Sequence, residues 1–133
     1  MTSILLRHAS AGHQRDWEHD DHLRPLDERG RRQSADLIEV LRPFDPQRIV
    51  SSPYIRCVQT VAPLASALGV ELEEDLRLGE GEGAAAASLL GEAGIVCCTH
   101  GDVVEALVGR DLKKGAALVL EDGRIVREIP PPR

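Results

Sequence analysis

Short apolar runs alternate with amphipathic stretches along this chain, and the two periods separate strands from helices. "SILL" (3–6) is a compact apolar run that predicts a strand buried on both faces. Residues 9–25 are polar, rich in His and Asp and without periodicity, which predicts a surface loop. "LDERGRRQSADLIEVLRP" reads as a helix capped by Asp27 and stopped by Pro43, with Ala35, Ile38 and Leu41 or Leu37 facing inward. "RIVSS" (48–52) predicts a second strand. The following "SPYIRCVQTVAPLASALG" predicts a helix with Ser52 as N-cap, Pro53 in its first position and Gly69 as its stop. Pro63 inside it predicts a kink or break.

"VELEE" (70–74) alternates weakly and predicts a third strand, followed by a Gly-rich loop and a short Ala-rich helix. "IVCCT" (95–99) is the most strand-like run, and "HGDVVEALVG" supplies a turn and a short helix. "ALVLEDGRIVREI" predicts a hairpin around Asp122-Gly123, before a "PPPR" tail. Strands alternating with helices predict an α/β fold with a mostly parallel sheet and an antiparallel edge. Without a repeat or a dividing linker, residues 1–133 are expected to form one domain.

Composition narrows the function classes. Trp17, Phe44 and Tyr54 are the only aromatics, so the core must be aliphatic and base-stacking on single-stranded nucleic acid is disfavoured. The net charge of −6 opposes a general polyanion-binding surface, so any anion site must be local. No stretch approaches the roughly 20 apolar residues of a membrane span. The chain enters a strand directly, and Cys57, Cys97 and Cys98 suit reduced, buried thiols. A cytoplasmic location, with neither membrane nor nucleic acid as partner, is expected.

Three predicted strands end in residues able to hold an anion. They are Arg7-His8, Ser51-Ser52 with Arg56 on the next helical turn, and Thr99-His100-Gly101. Ligands of open α/β sheets sit outside the carboxyl ends of the strands, where these groups would converge. A helix starting at Pro53 would add a positive dipole end. Each group alone has an ordinary structural explanation; together they predict a pocket for a dianionic phosphoryl group.

"LLRHASAG", "SSPYIRCVQT" and "CCTHG" resemble the three signature segments of the histidine phosphatase superfamily. The intervening "DDHLRPLDERGRRQSADL" resembles the short SixA-type phosphohistidine phosphatase branch, and also the histidine-phosphatase domain appended to some actinobacterial MutT-type Nudix hydrolases. The likeness runs from residue 3 to about 109, and the short span between Gly83 and Ile95 fits the branch without a substrate-covering insertion. It implies a three-layer αβα sandwich in which His8 is the nucleophile. Arg7 and Arg56 would clamp the phosphoryl oxygens, and His100 would hydrogen-bond an equatorial oxygen. The proton donor is expected in "LRLGEGEG", as Glu80 or, in reserve, Glu82.

These readings imply a phosphatase that needs neither metal nor cofactor, with a protein phosphohistidine as its expected substrate. A nucleotide or other small phosphorylated metabolite is the alternative, and a catalytically silent phosphate-binding module the third reading. A rival site would use His13, His19, His22, Asp16, Asp20 and Asp21 as metal ligands. Their spacing matches no metal motif, so a solvated loop on the pocket rim that helps choose the substrate is expected instead.

Overall fold

The computed structural model describes residues 2–133. Its strands are β1 (Thr2–Arg7), β2 (Arg48–Ser51), β3 (Leu72–Glu74), β4 (Ile95–Thr99), β5 (Ala117–Glu121) and β6 (Arg124–Ile129). Its helices are α1 (Glu28–Leu41), α2 (Ile55–Leu68) and α3 (Gly101–Val108). The strands form one sheet in the order β3-β2-β4-β1-β5-β6. The first four are parallel, while β5 runs antiparallel to β1 and β6 antiparallel to β5.

Alternation along the central strands produces the layers. Ile4, Leu6, Val96 and Cys98 pack with Leu37 and Leu41 of α1 and Cys57, Val61 and Leu64 of α2. Their neighbours Leu5, Ile95 and Cys97 face the other way, onto Leu78, Leu89, Val104 and Leu112. Burial on both faces explains why these strands read as continuous apolar runs. The fold is therefore the expected αβα sandwich, with an aliphatic core. Cys57, Cys97 and Cys98 are free and buried. Among the described residues, no helix is long and apolar enough to cross a membrane.

The chain leaves β1 through α1 toward β2, and leaves β4 through α3 toward β5, in opposite directions along the sheet. This reversal opens a crevice at the carboxyl ends of β1 and β4. The Asp122-Gly123 turn takes φ of 50° and 81°, the paired positive values of a tight two-residue hairpin.

Several local expectations differ from the structure. Ala35 is exposed and Ile38 half-buried, whereas Leu37 and Leu41 both face inward beside buried Gln33 and Ser34. Helix α2 starts at Ile55 with Tyr54 at its N-cap, so Ser52 and Pro53 precede it. Ser52 Oγ is drawn to other work, accepting the Tyr54 N–H at 3.2 Å and meeting a histidine described below. Pro63 does not break α2; its missing N–H removes one hydrogen bond from a helix otherwise fixed by Val61, Leu64 and Ala65 in the core. The Ala-rich stretch forms turns and a short 3-10 helix at Ala87–Gly91 rather than an α-helix.

Candidate active site

β1 delivers Arg7 and His8 to the crevice, and the loop behind them is pinned from three sides. His8 N–H donates to Thr99 O at 3.0 Å, joining the ends of β1 and β4. Ala9 N–H donates to Thr60 Oγ1 at 2.9 Å, and Thr60 Oγ1 donates to Arg56 O at 2.7 Å, so α2 fixes the loop. Asp27, which caps α1 by accepting Gly30 N–H at 2.8 Å, also accepts Gly12 N–H at 3.0 Å and the Ser10 hydroxyl at 2.7 Å. Burial works to raise the Asp27 pKa, but these hydrogen bonds hold it below the ordinary carboxylate value.

His8 is 4 % exposed. Its Nδ1 lies 2.8 Å from Ala9 O, a pure acceptor, which places the ring hydrogen on Nδ1 and leaves the Nε2 lone pair free. Burial first, then the charges of His100, Arg56 and Arg7, depress its pKa to about 3 despite the opposing Ala9 hydrogen bond. The imidazole is therefore neutral at physiological pH.

Arg56 is 1 % exposed. Its Nη1 donates to Asp21 O at 2.8 Å, and its Nη2 donates to Asp21 Oδ2 at 2.9 Å and Glu80 Oε2 at 3.0 Å. The Tyr54 ring stacks 4.9 Å from its Cζ. Arg7 Nη1 donates to Leu112 O at 2.7 Å, and burial lowers the Arg7 pKa. The Nε of each arginine is buried without a protein partner. Gly101 permits this placement of Arg7, because a Cβ there would lie 2.9 Å from Arg7 Cζ.

His100, 2 % exposed, has Nε2 at 2.9 Å from Ser52 Oγ and Nδ1 at 3.5 Å from Arg56 Nη2. Arg56 Nη2 can only donate, so His100 Nδ1 accepts and the ring hydrogen lies on Nε2, which donates to Ser52 Oγ beside the Tyr54 N–H. The His8 and His100 rings meet edge to face, with centroids 5.5 Å apart.

These groups line one cavity of about 260 Å³ with Gly12, His13, Gln14, Arg24, Gly101, Asp102 and Lys114. The structure thus brings Arg7, His8, Arg56, His100 and Glu80 together, while Glu82 is absent from the lining. Two helix starts border the cavity: α2, as expected, through Arg56, and α3 through Gly101 and Asp102. With the neutral His8 nitrogen among fixed N–H donors, the arrangement can accept a tetrahedral dianion and present a nucleophile to it.

Residues 3–85 match the family model of the histidine phosphatase superfamily, branch 1. The chain belongs to that superfamily. An 8-oxo-(d)GTP phosphatase of Mycolicibacterium smegmatis is 34 % identical over 116 residues, 80 % of this chain and 36 % of the relative. The chain therefore spans about a third of that relative's length. Two solved structures share its fold. One, assigned as the phosphohistidine phosphatase SixA of Agrobacterium tumefaciens, has a TM-score of 0.81 at 21 % identity, covering 98 % of this chain and 97 % of that one. The other, the protein histidine phosphatase SixA with tungstate, has a TM-score of 0.83 at 19 % identity over the same shares.

Sequence reasoning missed Arg24 and Lys114 as parts of the cavity's surroundings, and placed Asp21 only within the rim loop, not as an arginine partner. Asp21 bridges two arginines, accepting Arg24 Nε at 3.0 Å as well as Arg56. Burial would raise its pKa, but the hydrogen bonds and charges of Arg24 and Arg56 lower it. The only signal for Asp21 was an acidic cluster in a loop rich in them. Of the loop histidines, His13 lines the cavity, His22 packs edge-on to Tyr54 and His19 to Trp17. Among the described residues, no three His, Cys, Asp or Glu side chains gather as metal ligands would.

Proposed function

We propose that this chain is a metal-independent phosphatase that carries the phosphoryl group transiently on His8 Nε2. The observation that supports it is the buried, neutral His8, its Nδ1 tied to Ala9 O, beside two buried guanidinium groups. In the first step the Nε2 lone pair forms the N–P bond while the bond to the leaving group breaks. The Nδ1–H bond to Ala9 O stabilises the positive charge that the ring acquires. Arg7 and Arg56 donate to the phosphoryl oxygens, with His100 beside them, supplying the positive charge that a metal supplies in other phosphatases. Water then attacks phosphorus, the N–P electron pair returns to Nε2, and phosphate leaves.

Glu80 stands at the rim with a 45 % exposed side chain, held by Arg56. From there it can turn toward an alkoxide leaving group as proton donor. A nucleotide or other small phosphorylated metabolite is the substrate class we favour, because the relative at 34 % identity is named for a nucleotide substrate. Protein phosphohistidine is the second reading, favoured by an open cavity that would admit a protruding imidazole phosphate. The test is initial rates on phosphohistidine protein, nucleotides, sugar phosphates and an aryl phosphate, with His8→Ala as control. Loss of all turnover in His8→Ala and a covalent phosphate on wild-type His8 are expected. Undiminished turnover in His8→Ala would overturn the mechanism.

A further inference from the structure

The cavity holds two cations beyond the arginine pair that would clamp a phosphoryl group, against the carboxylates of Glu80 and Asp102. Arg7 and Arg56 already match a dianion, yet Arg24 and Lys114 line the same space beside Gly12, His13 and Gln14. Arg24 is a fixed part of the wall: its side chain is 10 % exposed, with Nη1 donating to Ala11 O at 2.5 Å and Nε to Asp21. Lys114 is different. Its one recorded hydrogen bond is a long one, from Nζ to Gly12 O at 3.5 Å, which leaves most of its donor capacity unused. Burial, then Arg7 and Arg24, lower its pKa, so an anion beside it would relieve an unfavourable charge.

Lys114 also belongs to a second cavity of about 260 Å³, lined with Ser10, Arg29, Gln33, Lys113 and Pro131. Among the described residues, Arg29, Lys113 and Lys114 have no carboxylate partner within ion-pair distance. Solvated lysines are common on surfaces, but a lysine shared between the cavity of a nucleophile and a second cationic cavity is not a random surface charge. In a protein of net charge −6, this cationic run joins the cavity of His8 to a second cavity through Lys114.

We propose that Lys114, flanked by Arg24 on the His8 side and by Lys113 and Arg29 beyond it, seats the leaving group of a phosphoanhydride. The inference rests on the phosphatase reading above and narrows its substrate to compounds that retain at least one further phosphate. The lone pair of His8 Nε2 forms the N–P bond to the terminal phosphorus, and the bridging P–O bond breaks with its electron pair on the departing phosphate. That oxygen is weakly basic, so it leaves without a proton from Glu80 and its charge is received by Lys114. Water then cleaves the N–P bond, its two protons departing on dihydrogen phosphate, and neutral His8 is restored.

The test compares kcat/KM on inorganic tripolyphosphate, pyrophosphate and an aryl phosphate, which has no second phosphate, in the presence of chelator. Lys114→Met is expected to lower turnover of both polyphosphates at least ~10-fold more than that of the aryl ester, the scale of one lost charge-assisted contact. Lys113→Met with Arg29→Met is expected to cost tripolyphosphate more than pyrophosphate, because only the longer chain reaches the second cavity. Competitive inhibition supplies an independent readout: pyrophosphate should bind more tightly than phosphate in the wild type, and the difference should shrink in Lys114→Met. Equal losses on all three substrates would overturn the leaving-group seat while leaving the phosphatase intact. So would greater sensitivity to Lys114→Met with an acidic phosphohistidine peptide than with tripolyphosphate. Aryl phosphate turnover that persists in His8→Ala would instead overturn the proposed His8 mechanism on which the inference rests.

Discussion

His8 combines two features that water would separate: a neutral ring and a strongly cationic neighbourhood. With its folded pKa near 3, only the unfolded chain takes up this proton between about pH 6.5 and 3. The stability associated with neutral His8 is thus present above pH 6.5 and lost as pH falls toward 3, by an amount on the order of several kcal/mol. His8→Asn should flatten that part of the stability–pH curve, measured by denaturant unfolding, and NMR of wild-type His8 should show a neutral ring at pH 5. A midpoint near 6.5 would contradict the buried, charge-flanked setting. Asp21 acts at the same scale by orienting Arg56. Asp21→Asn should lower kcat roughly 10-fold and weaken phosphate inhibition, since charge-assisted hydrogen bonds contribute about 1.5–3 kcal/mol, with Asp21→Glu recovering part of both. Glu80→Gln should slow alkyl phosphates by about 10²–10⁴-fold and aryl phosphates much less, the pattern expected of a proton donor. Arg7, His8 and His100 were legible because each stands at or just after a strand end, and Arg56 because it lies in the first turn of the helix after β2. Asp21 was not, because its role exists only once an aperiodic loop folds over α2.

The elements hold those side chains through a few close backbone approaches. Gly30 of α1 lies so near the loop after β1 that a Cβ there would sit 1.9 Å from Ser10 O. The collision is with backbone, on both sides, so no side-chain rotation relieves it. Gly30→Ala should destabilise the fold by about 1–3 kcal/mol or more, the overpacking range, and lower phosphatase activity by displacing the His8 loop. A thermal midpoint equal to wild type would show that α1 does not brace the loop. The strands were legible from apolar runs, and α1 from its Asp27 cap. The start of α2 was misread because Ser52 is a good capping residue by type, yet its hydroxyl is engaged by His100 and the Tyr54 amide. Pro63 was misread because a local penalty was outweighed by burial of the surrounding helix. No local sequence rule contains His100 or the core packing around Pro63.

Across the whole molecule, net charge and site charge have opposite signs. The chain carries −6, while its cavity gathers Arg7, Arg24, Arg56 and Lys114 against Glu80 and Asp102. Solvated charges beyond roughly 8 Å are screened at physiological ionic strength, so distant surface acids do little to cancel that field. Composition therefore excluded a general polyanion surface but concealed a local one, which emerged only when the ends of β1 and β4 and the loops beside them met. Two readings of the site differ in where the charge comes from: the arginines, as proposed above, or a metal held by the His/Asp loop. Asp21 is committed to two arginines, and His19 and His22 pack against Trp17 and Tyr54 rather than converging with His13. If the arginines supply the charge that phosphoryl transfer needs, turnover of an aryl phosphate should be unchanged after exhaustive chelation and unaffected by added Zn²⁺, Mg²⁺ or Mn²⁺. Activity that disappears with chelator and returns with one ion would transfer the charge-stabilising role to a metal. His19→Ala and His22→Ala should then abolish that return, whereas under the arginine reading they should alter substrate preference more than the maximal rate.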